Sequence, residues 1–81
     1  MTNLDVLDAV RSAVAEAVGG AVGDQEPLVS SGLIDSLMIL RLISAIERKL
    51  GVRIETAAIQ PDDFDTVELA VETVERTVRT K

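Results

Sequence analysis

Apolar residues recur at three- and four-residue steps in three stretches of the chain, and each stretch predicts an amphipathic helix. In the first, Leu4, Leu7, Val10, Val14 and Val18 draw one stripe. Asn3 stands where a cap would, and Asp5 and Asp8 lie at the positive end of the helix dipole. Gly19-Gly20 closes the helix, because glycine takes the left-handed C-terminal conformation cheaply. The second helix is predicted from about Ser36 to Leu50, with Gly51 as its stop. Leu37, Leu40, Ile43, Ile46 and Leu50 are its expected buried stripe, which leaves Met38 and Ile39 partly exposed and Leu42 at the edge. The last helix is predicted from about Thr66 to Val78, with Val67, Val71, Val74 and Val78 inward. Asp65 and Glu68 are spaced like a capping box before it.

Between the helices the pattern changes. Residues 21 to 35 contain Gly23, Pro27, Ser30, Ser31 and Gly32, which predicts a long loop pinned by Leu28 and Leu33. A loop of this length either serves function or spans the bundle between helices that are not antiparallel neighbours. Val52 and Ile54 read as extended, and Pro61-Asp62-Asp63-Phe64 reads as a single helical turn with proline first. No repeat and no strand alternation is visible. The expected fold is all-α: a small bundle of three main helices plus one short helix, with a long first loop, in a single domain over residues 1–81.

Composition narrows the function. The chain has 81 residues, 14 acids against 8 bases and a net charge of −6. It has no Cys, His, Trp or Tyr, and Phe64 is its only aromatic. No disulfide framework, no zinc site and no Ser-His or Cys-His pair can be built, so catalytic residues and metal ligands are expected to be none. A net negative chain without stacking aromatics is a poor nucleic-acid binder. The longest apolar run is Leu37-Met38-Ile39-Leu40, too short to span a membrane. Asp5 and Asp8, with no basic region ahead of an apolar stretch, do not read as a signal peptide. A cytoplasmic, monomeric domain is expected, with neither nucleic acid nor membrane among its partners.

The charge is uneven. Residues 1–35 hold six acids and one base, residues 36–53 one acid and four bases, and residues 54–81 seven acids and three bases. The net charges are −5, +3 and −4. A basic second helix inside an acidic protein can orient a partner. Arg48 and Lys49 also complement the C-terminal end of the helix dipole, which mid-helix Arg41 does not. Asp62, Asp63 and Asp65 lack the glycine and distal glutamate of a calcium loop. Glu72–Arg76 and Glu75–Arg79 read as i,i+4 pairs on an outer face.

The most informative stretch is Gly32-Leu33-Ile34-Asp35-Ser36-Leu37, which sets a serine where the long loop enters the basic helix. Asp35 or Ser36 could simply cap the helix. The same geometry exposes a hydroxyl beside free N–H groups and a positive dipole end, which favour an attached phosphate. The stretch resembles the attachment motif of acyl and peptidyl carrier proteins, whose Asp-Ser-Leu serine receives 4′-phosphopantetheine. The long first loop, Phe64-Asp65-Thr66 and the final helix are similar to that family as well, so the resemblance runs from the first helix to about Val78.

The resemblance implies that Ser36 bears the 4′-phosphopantetheine, taken from coenzyme A, and that Asp35 is the motif acid that helps the transferase engage. The implied work is transport: cargo held as a thioester on the arm, with the chain a substrate of other enzymes and not an enzyme itself. The implied partners are a phosphopantetheinyl transferase, an acyl- or aminoacyl-loading enzyme, and downstream condensing or transfer enzymes. Met38, Ile39, Arg41 and Leu42 are the expected docking patch, unless some of them pack under the long loop or the short helix. Fatty-acid carriers typically bear an acidic second helix, and here Glu47 is its only acid. The apolar first turn and the Phe64-Asp65-Thr66 segment resemble instead free-standing carriers of nonribosomal peptide or polyketide biosynthesis. A fatty-acid carrier and a D-alanyl or other single-amino-acid carrier remain alternatives, and so does a non-catalytic helical adaptor in which Ser36 only caps.

Overall fold

In a computed structural model, residues 2–79 are described. Helices α1 (Asn3–Val18), α2 (Ser36–Leu50) and α3 (Val67–Thr77) pack around one core. Short 3-10 turns at Thr56–Ala58 and Pro61–Phe64 connect α2 to α3. The expected all-α bundle with a long first loop is what forms, with two short 3-10 turns where one short helix was expected. Strands β1 (Arg53–Ile54) and β2 (Val78–Arg79) add one antiparallel pairing, Arg53 opposite Arg79 and Ile54 opposite Val78. Two residues are too few to show the alternation by which a strand is read from sequence.

α1 begins one residue earlier in its cap than expected. Thr2, not Asn3, is the N-cap: its hydroxyl accepts from the Asp5 N–H (3.2 Å), and the Asp5 carboxylate accepts from the Thr2 N–H (3.1 Å). Asn3 instead donates to Glu75 of α3 at 2.7 Å. Gly19 ends the helix at φ 81° as the sequence predicts. The buried face is Val6, Ala9, Val10, Ala13 and Val14, while Leu4 is exposed. Counting only large aliphatics places the stripe about a quarter-turn away, because it ignores Ala9 and Ala13, whose small side chains let neighbouring helices come close.

α2 corrects its predicted stripe in the same way. Ile39 (4% exposed), Leu42 (1%), Ile43 and Ile46 face the core, whereas Leu37 (59%) and Leu40 (56%) face solvent. Leu37-Met38-Ile39-Leu40 is apolar around a whole turn, so two registers fit the periodicity and share Ile43 and Ile46. Contacts with α1 and the turn before α3 select between them.

α3 is capped by Thr66, whose hydroxyl accepts from the Leu69 N–H (3.1 Å), so the Asp65–Glu68 box does not form. Val67, Ala70, Val71 and Val74 are buried. Thr73 and Thr77 are buried too, each with its hydroxyl donating to the carbonyl four residues back, Leu69 and Thr73. Val78 leaves the helix to join β2. Arg76 lies 3.9 Å from Asp63, across the turn, where a pair with Glu72 was expected; Glu75–Arg79 involves a side chain outside the described residues. Phe64, at the end of the proline-led turn, is fully buried in the core. The long loop is pinned by Leu28 and Ile34, both buried, while Leu33 points outward.

Candidate functional site

The loop that delivers Ser36 is held by one carboxylate. Asp65 Oδ1 accepts from the N–H groups of Ser30 (2.8 Å), Val29 (2.9 Å) and Leu28 (3.2 Å), and the Ser30 hydroxyl donates to the same carboxylate. The Ser30 N–H above all, with the Ser30 hydroxyl and the other two amides, holds the Asp65 carboxyl below the usual carboxylate range against a smaller opposing effect of burial. The Leu28 N–H also reaches the Asp65 carbonyl (2.7 Å), and the Ile34 N–H returns to the Leu28 carbonyl (3.1 Å). Ser31 closes the turn on the Pro27 carbonyl (2.7 Å). Gly32 turns the chain at φ 84°, a left-handed conformation that side-chain-bearing residues rarely adopt.

Sequence spacing missed this role of Asp65, because its partners lie 35 to 37 positions away. The one available signal was the likeness of Phe64-Asp65-Thr66 to a known family, which marked the segment without saying what the acid does.

At the end of the loop the two candidate caps separate. Asp35 is the N-cap of α2: its backbone is extended, and its carboxylate accepts from the Met38 N–H at 2.9 Å. Ser36 is the first helical residue, is exposed, and its hydroxyl has no hydrogen-bond partner among the described residues. The N–H groups of Ser36 and Leu37 occupy the first two helical positions, where no intrahelical carbonyl is available.

The remaining expected site residues divide. Arg41 is exposed and Met38 is half-buried, whereas Ile39 and Leu42 are buried in the core and reach the surface only at the floor of clefts. Met38, Arg41 and Leu42 meet along a cleft of about 290 Å³ against Glu16 and Ala17 of α1. Leu33, Leu37 and Leu40, all within four residues of Ser36 in the chain, are exposed. A groove of about 210 Å³ runs from Ser36 past Ile39, Leu40 and Ile43 to Ile59 and Pro61.

The family model described as the phosphopantetheine attachment site matches residues 8–74. This chain belongs to that family. Its attached group is 4′-phosphopantetheine, so the attachment-site family makes the chain a phosphopantetheine-bearing carrier. Among curated proteins, none matches the chain as a relative. The site's residues fit the group. A carrier of this family needs an accessible side chain that can form a phosphate ester, and Ser36 offers an exposed hydroxyl free of other bonds. The unpaired amides and positive end of α2 favour the resulting anion. Among the described residues no helix is long and apolar enough to cross a membrane, and no cluster of carboxylates is placed to hold a metal.

Proposed function

We propose that Ser36 is the attachment residue and that residues 1–81 form one carrier domain that moves acyl or aminoacyl intermediates in nonribosomal peptide or polyketide biosynthesis. One observation carries the assignment: Asp35 does the capping, which leaves the Ser36 hydroxyl exposed and without structural duty. The adaptor alternative, in which Ser36 serves only as a cap, loses its main support on the same ground. The non-fatty-acid reading is supported by the exposed Leu37, Leu40 and Arg41 on a helix whose only acid is Glu47.

The chain's part in the chemistry is small and specific. The Ser36 hydroxyl oxygen forms a new bond to the pantetheine-bearing phosphorus of coenzyme A, and the pyrophosphate P–O bond to the nucleotide breaks. Adenosine 3′,5′-bisphosphate leaves with the electron pair, and the hydroxyl proton passes to a base of the transferase. Asp35 fixes the first turn so that the hydroxyl stays presented. When bound, the arm supplies a thiol that this cysteine-free chain lacks, and thereby holds cargo as a thioester. The chain acts as a substrate of its partners: the transferase, a loading enzyme and condensing or transfer enzymes.

The test is intact mass before and after incubation with coenzyme A and a broad-specificity phosphopantetheinyl transferase, for the wild type and Ser36→Ala. One phosphopantetheine on the wild type and none on the variant is expected. Addition to the Ser36→Ala variant would refute the assignment.

A further inference from the structure

The groove beside Ser36 has one firm wall and one loosely held wall. Ile39, Leu40 and Ile43 of α2 form the firm one, and Thr56, Ile59 and Pro61 belong to the other. From residue 55 to residue 63 no residue is buried, and Ile59 is the one apolar residue that packs, half-buried, against the core. Bonds from the Ala58 N–H to the Glu55 carbonyl (3.2 Å) and from the Ile59 N–H to the Thr56 carbonyl (3.1 Å) shape this segment without tying it to a helix. It is held at its two ends. At one, Phe64 sits in the core and the Thr73 hydroxyl donates to the Asp63 carbonyl at 3.2 Å. At the other stands the β1–β2 pairing, extended by the Glu55 N–H, which donates to the Thr77 carbonyl at 3.0 Å.

We propose that the β1–β2 pairing is a latch on this wall. Paired, it holds residues 55–60 against α2 and keeps the groove narrow; unpaired, it lets them swing outward about the Phe64 end. The latch itself does not require an arm on Ser36, whereas its use, setting the space beside that arm, rests on Ser36 as the attachment residue. The two ends differ in strength. Withdrawing Phe64 exposes a fully buried aromatic ring, whereas undoing β1–β2 opens a ribbon of two residue pairs, too short to be stable alone. The register weakens the ribbon further, because it sets Arg53 opposite Arg79, two residues of like charge. Ile54 is buried opposite half-buried Val78, so departure of β2 also uncovers the residue from which the wall begins. The groove, at about 210 Å³, lies below the roughly 300 Å³ at which pockets begin to enclose a small molecule. A larger group enters only if a wall moves, and α2 is fixed by Ile43 and Ile46 in the core. β2 begins at Val78, beyond residue 74 where the family match ends, so the latch is an addition of this chain.

The chain has no cysteine, so a single introduced thiol reports on the groove. Ile43→Cys places it on the groove floor, whereas Ile46→Cys places it in the same helix at a buried position that does not line the groove. Each is made alone and together with Arg79→Pro. The bonded pair Glu55–Thr77 makes Arg53–Arg79 the next bonded pair, so proline at 79 removes a ladder donor while α3, which ends at Thr77, is kept. Alkylation by iodoacetamide under native conditions is expected to become about tenfold faster for the Ile43→Cys thiol when Arg79→Pro is added, and to stay unchanged for the Ile46→Cys thiol. Amide exchange at Glu55, Ala58 and Ile59 is expected to accelerate with it, while exchange at Ile39 and Ala70 holds its rate. Arg53→Glu, which sets opposite charges across the pair, is expected to slow the Ile43→Cys reaction by up to about fivefold. Circular dichroism melts check that the variants are folded.

Equal acceleration of both thiols by Arg79→Pro would mean a general loosening of the fold and overturn the latch. An unchanged Ile43→Cys reaction in folded Arg79→Pro chain would overturn it too, by showing that the wall stays closed without β2. Faster alkylation with Arg53→Glu would contradict the register argument and overturn it as well. None of these readouts involves the arm, so their failure leaves Ser36 as the attachment residue, and a failure of arm transfer leaves the latch standing.

Discussion

The two ends of α2 are built for opposite purposes. At the C-terminal end Lys49, Glu47 and the closing amides are engaged. Lys49 pairs with Glu16 of α1 at 2.9 Å, Glu47 binds the Ile54 amide, and the N–H groups of Gly51 and Val52 both return to the Glu47 carbonyl. At the N-terminal end the outer face is left open, with Ser36, Leu37, Leu40 and Arg41 exposed. Yet that end is held as firmly from behind, by the Asp35 cap and by the loop that Asp65 gathers. A reactive side chain can thus be presented in a fixed position while its own bonding groups stay free.

The comparison can be broken most severely from behind the site. Leu28→Ala removes a fully buried anchor of the loop and should cost about 2–5 kcal/mol. A chemical-denaturation curve checks this, and arm transfer should fall with the folded fraction. Asp35→Ala removes the cap and should cost about 1 kcal/mol, with the first turn of α2 fraying in amide exchange. Because that turn presents Ser36, transfer should slow by more than the stability loss explains.

Asp65→Asn sharpens the comparison through pH. The Asp65 carboxyl binds its proton more weakly when folded than when unfolded, so protonation favours the unfolded loop. The clamp's contribution is therefore complete above the ordinary value of 3.8 and is lost as pH falls below it, through the lowered folded value. Amide exchange at Leu28, Val29 and Ser30 should accelerate in that acid range in the wild type. In the variant the extra acid dependence at these amides should be absent. Lys49→Ala, at the opposite end, is the smallest perturbation: the pair is exposed, and both the melt and arm transfer should stay at wild-type values.

What could be read from the sequence follows the range of each interaction. Helix ends marked by Gly19, Gly51 and Pro61 were legible because their signals are local. Ser36 at the start of α2 was legible for the same reason, together with the family resemblance. The faces of α1 and α2 were not. Alanines carry little weight in an aliphatic pattern, and an all-apolar turn such as Leu37–Leu40 permits two registers that only tertiary packing distinguishes. This is why Ile39 and Leu42, expected at a docking surface, lie in the core, while Leu37 and Leu40 lie outside. Asp65 was read as a capping acid because its three amide partners are far away in sequence. The β1–β2 pairing was too short for any pattern.

The most direct measurement is fragmentation mass spectrometry of the chain after reaction with coenzyme A and a phosphopantetheinyl transferase. The account predicts one phosphopantetheine, on Ser36. Its appearance on Ser12, Ser30, Ser31 or Ser44, or its absence from well-folded protein after reaction with a native-source transferase, would contradict it.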